Sequence, residues 1–388
     1  MSLDSARTAP NRRQELDVLR GVLLVLMAIT HLPTGLSVYS NQPFGFLSAA
    51  EGFVFLSAFL VGSTYTRKLR DHGSSYVRDK LWRRAGKLYV AHLGLLVFLF
   101  TVVAALAVES GRPALHNHLA VFFASPLRAT LASVVLLYQP PLLDILPMYI
   151  AFLALTPWLL TYGAKRGWWG IVSVSGLLWL AAQFGGRRLA YEWVAARVGL
   201  RLPIDALGAF DWLAWQLVWV GGLWLGSRQL RESAVRPKGG ARERALLATA
   251  AITAGALLLW RYHGGFGLDL SSPLVNKWHL GALRIVNFAA LGYLVTQRVL
   301  PYLRLLDLRI LAMLGRTSLA VFTAHVPFCV LSRGLIIDDA TPLTLSQQVF
   351  VLVVTLGGML LVAWRAGGAG PPARRTQSGG VPERTQAA

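Results

Sequence analysis

The sequence predicts an all-α integral membrane protein with about ten transmembrane helices and both termini in the cytoplasm. Three observations carry that prediction. Hydrophobic residues make up 55% of the chain and charged residues only 14%, at a mean hydropathy of +0.51, whereas soluble domains carry ~25% charge. Apolar runs of about 20 residues, enough to cross a ~30 Å hydrocarbon core, recur along the chain. Lys and Arg are divided very unequally between the two sides of those runs.

The runs cover roughly 17–36, 49–66, 88–108, 144–162, 168–184, 211–227, 245–262, 280–297, 310–334 and 347–364. A net charge of +20 and a pI near 11.0 invite a nucleic-acid reading, but the distribution of charge argues against it. Of the 38 Lys and Arg residues, 26 lie in segments on the N-terminal side, eight of them between Arg67 and Lys87. Seven lie on the other side, and five fall within spans, namely Arg20, Arg261, Arg284, Arg316 and Arg333. Cytoplasmic loops carry the basic excess, which puts both termini in the cytoplasm. No nucleic-acid partner is expected; the lipid bilayer is.

The first span holds two ionisable groups, Arg20 and His31. Eleven residues return a helix to within roughly 20° of the same face and advance it by about 16 Å. Such groups at membrane depth are costly unless they face a cavity or a partner, so they are functional candidates by default. Glu51 opens the second span, which runs back from the outward side, and so falls at the depth of His31. A carboxylate there is expected to fix the tautomer of the imidazole and to stabilise its protonated form. Arg83, Arg84 and Lys87 stand at the cytoplasmic entrance of the third span, where they suit phosphates or simple positive-inside placement.

The outward segment 109–143 contains an apolar piece, 129–138, followed by Gln139-Pro140-Pro141, which cannot continue a regular helix. That piece reads as re-entrant or interfacial. His116-Asn117-His118 has no acidic third ligand nearby, so no metal site is expected. Asp144 stands at the mouth of the fourth span, either capping that helix or orienting a hydroxyl substrate. Trp168, Trp169, Trp212 and Trp215 sit at span ends, as interfacial aromatics do. Tyr191 to Leu200 reads as a short amphipathic surface helix.

Arg284 and Asn287 lie four and seven residues into the eighth span, where Arg284 either meets a carboxylate or snorkels. The ninth span carries Arg316, then His325, then Pro327. On a straight helix starting near Arg309, they lie about 10 and 24 Å inward for Arg316 and His325 respectively, which brings His325 close to the depth of His31. Two imidazoles and a carboxylate in the outward half, with Arg20 and Arg316 in the inward half, outline a polar passage. An enzyme and a proton or solute pathway fit that outline equally well. The lone cysteine, Cys329, has no intramolecular partner, and no cleavable leader is expected because the first apolar run is a full span. Residues 1–15 and 365–388 read as disordered cytoplasmic ends flanking one polytopic unit, 16–364.

Four ordered motifs resemble a known family. Arg20 and His31, with ten residues between them, are similar to the first-helix signature of the acyltransferase-3 superfamily of membrane acyltransferases. The stretch Glu51-Gly52-Phe53-Val54-Phe55-Leu56-Ser57-Ala58-Phe59 resembles that superfamily's second-helix motif, with Ala58 where Gly is usual. Glu15-Leu16-Asp17, Asp144-Ile145-Leu146-Pro147-Met148-Tyr149 and the run from Leu314 to His325 resemble the OpgC branch, whose likeness covers about 12–364.

The resemblance implies ten helices in the bacterial inner membrane and transfer of an acyl group, succinyl in known OpgC proteins, to a periplasmic glucan. No tightly bound cofactor is implied. The donor would be an acyl-CoA, either succinyl-CoA or acetyl-CoA, met on the cytoplasmic side by Arg20, Arg316, Arg83, Arg84 and Lys87. His31 would be the general base, Glu51 its orienter, and His325 an oxyanion or acceptor group. Asp144, Arg284 and Asn287 would bind the glycan or the acyl carboxylate. A secondary transporter using the same intramembrane set is the alternative, and the oligomeric state is left open.

Overall fold

The computed structural model describes residues 14–199, 202–228, 240–263, 272–303, 305–336 and 342–368. The ends expected to be disordered lie almost wholly outside these residues, as does Leu200 at the close of the expected surface helix. Among the described residues there is no β-strand. The principal helices are α1 (Gln14–His31), α2 (Leu36–Asn41), α3 (Ala49–Phe98), α4 (Ile145–Arg166), α5 (Trp169–Gln183) and α6 (Gly186–Val198). They continue with α7 (Trp212–Arg228), α8 (Ala241–His263), α9 (Ala282–Leu294), α10 (Arg309–Arg316), α11 (Ser318–Arg333) and α12 (Leu345–Ala363). Every expected apolar run is helical. Among the described residues, four helices are long and apolar enough to cross a membrane, or up to six when each bent pair counts as one span.

The second and third expected spans are the two arms of α3. Gly73, at φ 81° and ψ 178°, breaks the helix between them, in a region of backbone space that glycine reaches without the steric cost of a Cβ. A straight helix would hold Phe53 and Leu88 about 52 Å apart, yet both line one cavity. The arms therefore fold back on each other. The second arm passes through a π-helical turn, Leu99–Val103, before ending at Ser110.

Two other expected spans bend sharply. Between α5 and α6 the bend is 83°, and between α10 and α11, at Thr317, it is 91°. The straight-helix depth expected for His325 is thereby corrected. Arg316 ends one axis, whereas His325 lies seven residues, or about 10 Å, along another that begins at Ser318.

Helix α10 lies hard against α1. A Cβ on Gly21 would come within 2.0 Å of the Leu311 carbonyl oxygen, and one on Gly315 within 1.9 Å of the Asp17 carbonyl oxygen. Only hydrogen atoms fit at those two contacts, which brings the Asp17–Arg20 turn up to Arg316 and Ser318. Helix α3 packs along α4 and α7, α11 along α1 and α12, and α8 along α9. Ala58 is fully buried and faces Gly222 of α7, so the methyl at this position is absorbed by a glycine opposite.

Candidate functional site

Where α1 meets the start of α11, a polar contact sits in apolar surroundings. The Arg20 guanidinium donates to Ser318 Oγ and lies over the Phe53 ring, 5.9 Å from its centroid. These groups border a small cavity of about 50 Å³ whose walls include Arg20, Phe53, Arg84, Tyr149, Ser318 and Phe322. Arg84 is half-buried and reaches Tyr149 Oη at 3.4 Å, whereas Arg83 and Lys87 are exposed. Of the three basic residues expected at the entrance of the third span, only Arg84 joins Arg20. Spacing explains Arg83, which lies about 100° around the helix from Arg84; Lys87, three positions on, is a neighbour of Arg84 on the helix surface but is exposed. Arg316 is not in the cavity wall, and its Nε lies 3.6 Å from the Asp17 carboxylate.

The wall of the cavity toward His325 is aromatic. Phe53 stacks on Phe322 at 6.3 Å, and Phe322 meets the His325 ring edge-on at 4.8 Å. Beyond this layer, His31 and His325 stack with centroids 5.9 Å apart and planes 17° from parallel. The juxtaposition read from the sequence is thus present although the expected ninth span is bent between α10 and α11. His325 Nδ1 lies 2.6 Å from the Phe322 carbonyl oxygen. A carbonyl only accepts, so Nδ1 carries the proton and Nε2 is the basic nitrogen of the neutral ring. Pro327 lies two residues on, and its missing N–H leaves the Thr323 carbonyl, not that of Phe322, without its helical donor. His31 Nδ1 is buried with no hydrogen-bond partner.

Glu51 does not hold His31. One carboxylate oxygen accepts from Ser48 N at 3.1 Å and from Ser48 Oγ, which forms the capping box of α3. The other accepts from Arg284 Nε at 3.0 Å and from Arg284 Nη2. Both side chains are almost fully buried, with 1% of Glu51 and none of Arg284 exposed. The expected orienter therefore belongs to a buried ion pair. Matching depth told nothing of rotation about the helix, and Ser48-x-x-Glu51 is itself the capping-box signature. Arg284 does meet a carboxylate, but it is this chain's own.

Asp144 makes no cap to α4; its Oδ2 accepts from Ala209 N at 3.2 Å and tethers the loop before α7. Asn287 Nδ2 donates to the Phe44 carbonyl at 3.0 Å, and its Oδ1 is buried without a partner. Both residues tie loops to the helix bundle.

The sequence reading missed Lys277, treating it as one more loop cation. Its Nζ reaches Asn41 Oδ1 at 3.4 Å and stands 4.9 Å from the centre of the Trp278 ring. The charge acts on His31, Glu51 and Asp144. Burial pushes the Lys277 ammonium below its ordinary pKa and the nearby Arg284 adds to this, whereas the Glu51 and Asp144 carboxylates oppose it.

The loop that carries Lys277 is pinned at almost every residue. Asn276 Oδ1 accepts from the backbone N–H groups of Trp278 and His279, and His279 Nδ1 pairs with buried Asp211 at 2.9 Å. The Trp278 carbonyl accepts from Trp215 Nε1 at 3.0 Å, the His279 carbonyl from Gln183 at 2.7 Å, and the Leu280 carbonyl from Trp179 Nε1 at 2.8 Å. Leu280 is held at φ 48° and Leu142, two residues before Asp144, at φ 70°. Left-handed backbone at non-glycine residues persists only where the surroundings enforce it, and it clusters at functional sites. The dense run Asn276-Lys277-Trp278-His279 was the signal available in the sequence.

A family model described as OpgC protein matches residues 12–369. No curated protein matches the chain, and no solved structure does.

Proposed function

We propose that this chain, which belongs to the OpgC protein family, is a membrane-embedded O-acyltransferase of the acyltransferase-3 superfamily. It moves an acyl group, succinyl as the best reading, from a cytoplasmic acyl-CoA to a hydroxyl of a periplasmic glucan or related glycan. In this reading ten helices cross the bacterial inner membrane and both termini are cytoplasmic. The observation that carries it is the stacked His31–His325 pair, separated by one aromatic layer from a cavity that holds Arg20 and Arg84.

The thioester donor enters the cavity from the basic side. The forked guanidinium of Arg20 and the Arg84 side chain suit the amide and phosphate oxygens of the CoA arm. The acyl end passes the Phe53–Phe322 layer to reach the imidazoles. His31 takes the proton of the acceptor hydroxyl as its oxygen attacks the thioester carbonyl. The carbon–oxygen bond forms and the carbon–sulfur bond breaks. The proton leaves His31 for the departing CoA thiolate. His325, buried beside it with its tautomer fixed by the Phe322 carbonyl, positions the His31 ring by stacking. Glu51 and Arg284 keep the start of α3 and the start of α9 together, so their part is architectural.

The two bent helix pairs favour a second reading, since broken helices line the sites of secondary transporters. One experiment separates the two. Purified full-length protein is incubated with succinyl-CoA and a neutral glucan, and the products are examined for free CoA thiol and ester-linked succinate. Acyl transfer yields both in equal amount; a transporter yields neither.

A further inference from the structure

Loops close the end of α1 that carries His31. Thr30 Oγ1 donates to Ser40 Oγ at 3.1 Å, and the next residue, Asn41, accepts from Lys277 Nζ at 3.4 Å. These bonds set the segment 276–280 beside the end of α1. Trp278 and His279 in that segment both reach solvent, with 40% of Trp278 and 44% of the His279 side chain exposed. The steps proposed above use neither residue.

Both side chains are held in place from beneath. The almost fully buried Asp211 divides its carboxylate: Oδ1 accepts from Leu213 N at 2.9 Å at the start of α7, and Oδ2 lies 2.9 Å from His279 Nδ1. A carboxylate accepts, so Nδ1 carries the proton and Nε2 is the nitrogen left for a ligand. The Trp278 ring meets Phe210 edge to face at 5.5 Å, and Phe210 meets buried Trp215 in the same way at 4.7 Å. Bonds from Asn276, Trp215, Gln183 and Trp179 fix the backbone that carries both residues.

An anchored indole beside an imidazole of fixed orientation is an apolar plate with a hydrogen-bonding group at hand, and neither group has to be ordered when a ligand arrives. A pyranose has the complementary make-up, since its ring C–H groups form an apolar face and hydroxyls surround it. We infer that Trp278 and His279 form the platform for the acceptor glycan: a pyranose ring packs on Trp278, and one of its hydroxyls bonds to His279 Nε2. This assignment rests on the acyl-transfer reading above. It replaces the acceptor residues expected from the sequence, because Arg284 is paired with Glu51 whereas Asp144 and Asn287 bond to backbone.

Equilibrium binding of labelled neutral gluco-oligosaccharides, covering the common glucosidic linkages, to the full-length protein in lipid nanodiscs tests this without turnover. Trp278→Ala and His279→Asn are each expected to weaken binding by roughly three- to tenfold. Asparagine places its amide nitrogen where Nδ1 stood, so it keeps the donation to Asp211 and loses Nε2; that variant should melt with the wild type. In steady state both variants raise KM for the glucan and leave KM for succinyl-CoA unchanged. Trp278→Phe keeps an aromatic plate and most of the affinity.

Wild-type affinity in either Trp278→Ala or His279→Asn overturns the platform, leaving the indole as a membrane-interface anchor or the imidazole as a loop tie. A wild-type protein that binds none of the oligosaccharides overturns it as well. Binding that depends on both residues, without acyl transfer from any thioester, would instead sink the acyl-transfer reading and leave the glycan site standing.

Discussion

The imidazoles of His31 and His325 lie face to face, 5.9 Å between centroids, although they come from helices α1 and α11, nearly three hundred residues apart in the chain. With His325 Nδ1 committed to a backbone carbonyl, the pair presents one ring fixed in orientation, stacked on another whose Nδ1 has no partner. That is a suitable arrangement for one ring to move a proton while the other holds it in place.

His31→Ala is expected to lower acyl transfer by roughly 10²–10⁴-fold, the usual contribution of a general base. His325→Gln retains a hydrogen-bonding group of lower basicity and removes the stacked ring, so a smaller loss is expected. Steady-state rates on protein that remains monodisperse in detergent decide this. A larger loss in His325→Gln than in His31→Ala would exchange the two roles.

Glu51→Gln leaves the Arg284 charge buried without its counterion. Breaking such a pair costs about 3–5 kcal/mol, so the variant is expected to melt well below the wild type. A double change, Glu51→Leu with Arg284→Met, removes both charges and should recover much of the lost stability. Thermal melts in detergent check the order. A Glu51→Gln protein as stable as wild type but inactive would return Glu51 to the reacting groups.

Arg20→Lys keeps a positive charge and loses the fork that engages Ser318. Weaker apparent affinity for the thioester donor is expected, with the glucan saturation curve nearly unchanged. Measuring both curves tests the assignment of this cavity to the donor; a shift confined to the glucan curve assigns it to the acceptor.

Single cysteines at Ser74 and Asn117, on a Cys329→Ser background, are expected to label from opposite faces in sealed cells. Ser74 follows the Gly73 break between the arms of α3, and Asn117 lies in the segment after its second arm. Reaction of Ser74→Cys with an impermeant reagent added outside would reverse the orientation and the direction of acyl flow.

Much of the helical architecture was legible because apolar runs are a strong, additive signal. The meeting of His31 with His325 was legible too, since both are ionisable residues in the outward halves of their runs. What escaped depends on rotation and on bends. Glu51 matched His31 in depth, but its rotamer is set by Ser48 and Arg284, two partners that helix length does not reveal. The break at Thr317 follows from packing of α10 on α1 through Gly21 and Gly315, a contact between segments that local pattern cannot anticipate. Lys277 was hidden by the same charge count that oriented the helices, because a count treats every loop cation alike.

The most direct measurement of the central claim uses sealed proteoliposomes of known orientation, with labelled succinyl-CoA on the face bearing the Ser74 segment and glucan on the opposite face. The account predicts that label appears as a succinyl ester on the glucan while CoA stays on the donor side, and that His31→Ala abolishes it. Label on the glucan only when donor and acceptor share one face, or equal transfer by His31→Ala, would contradict it.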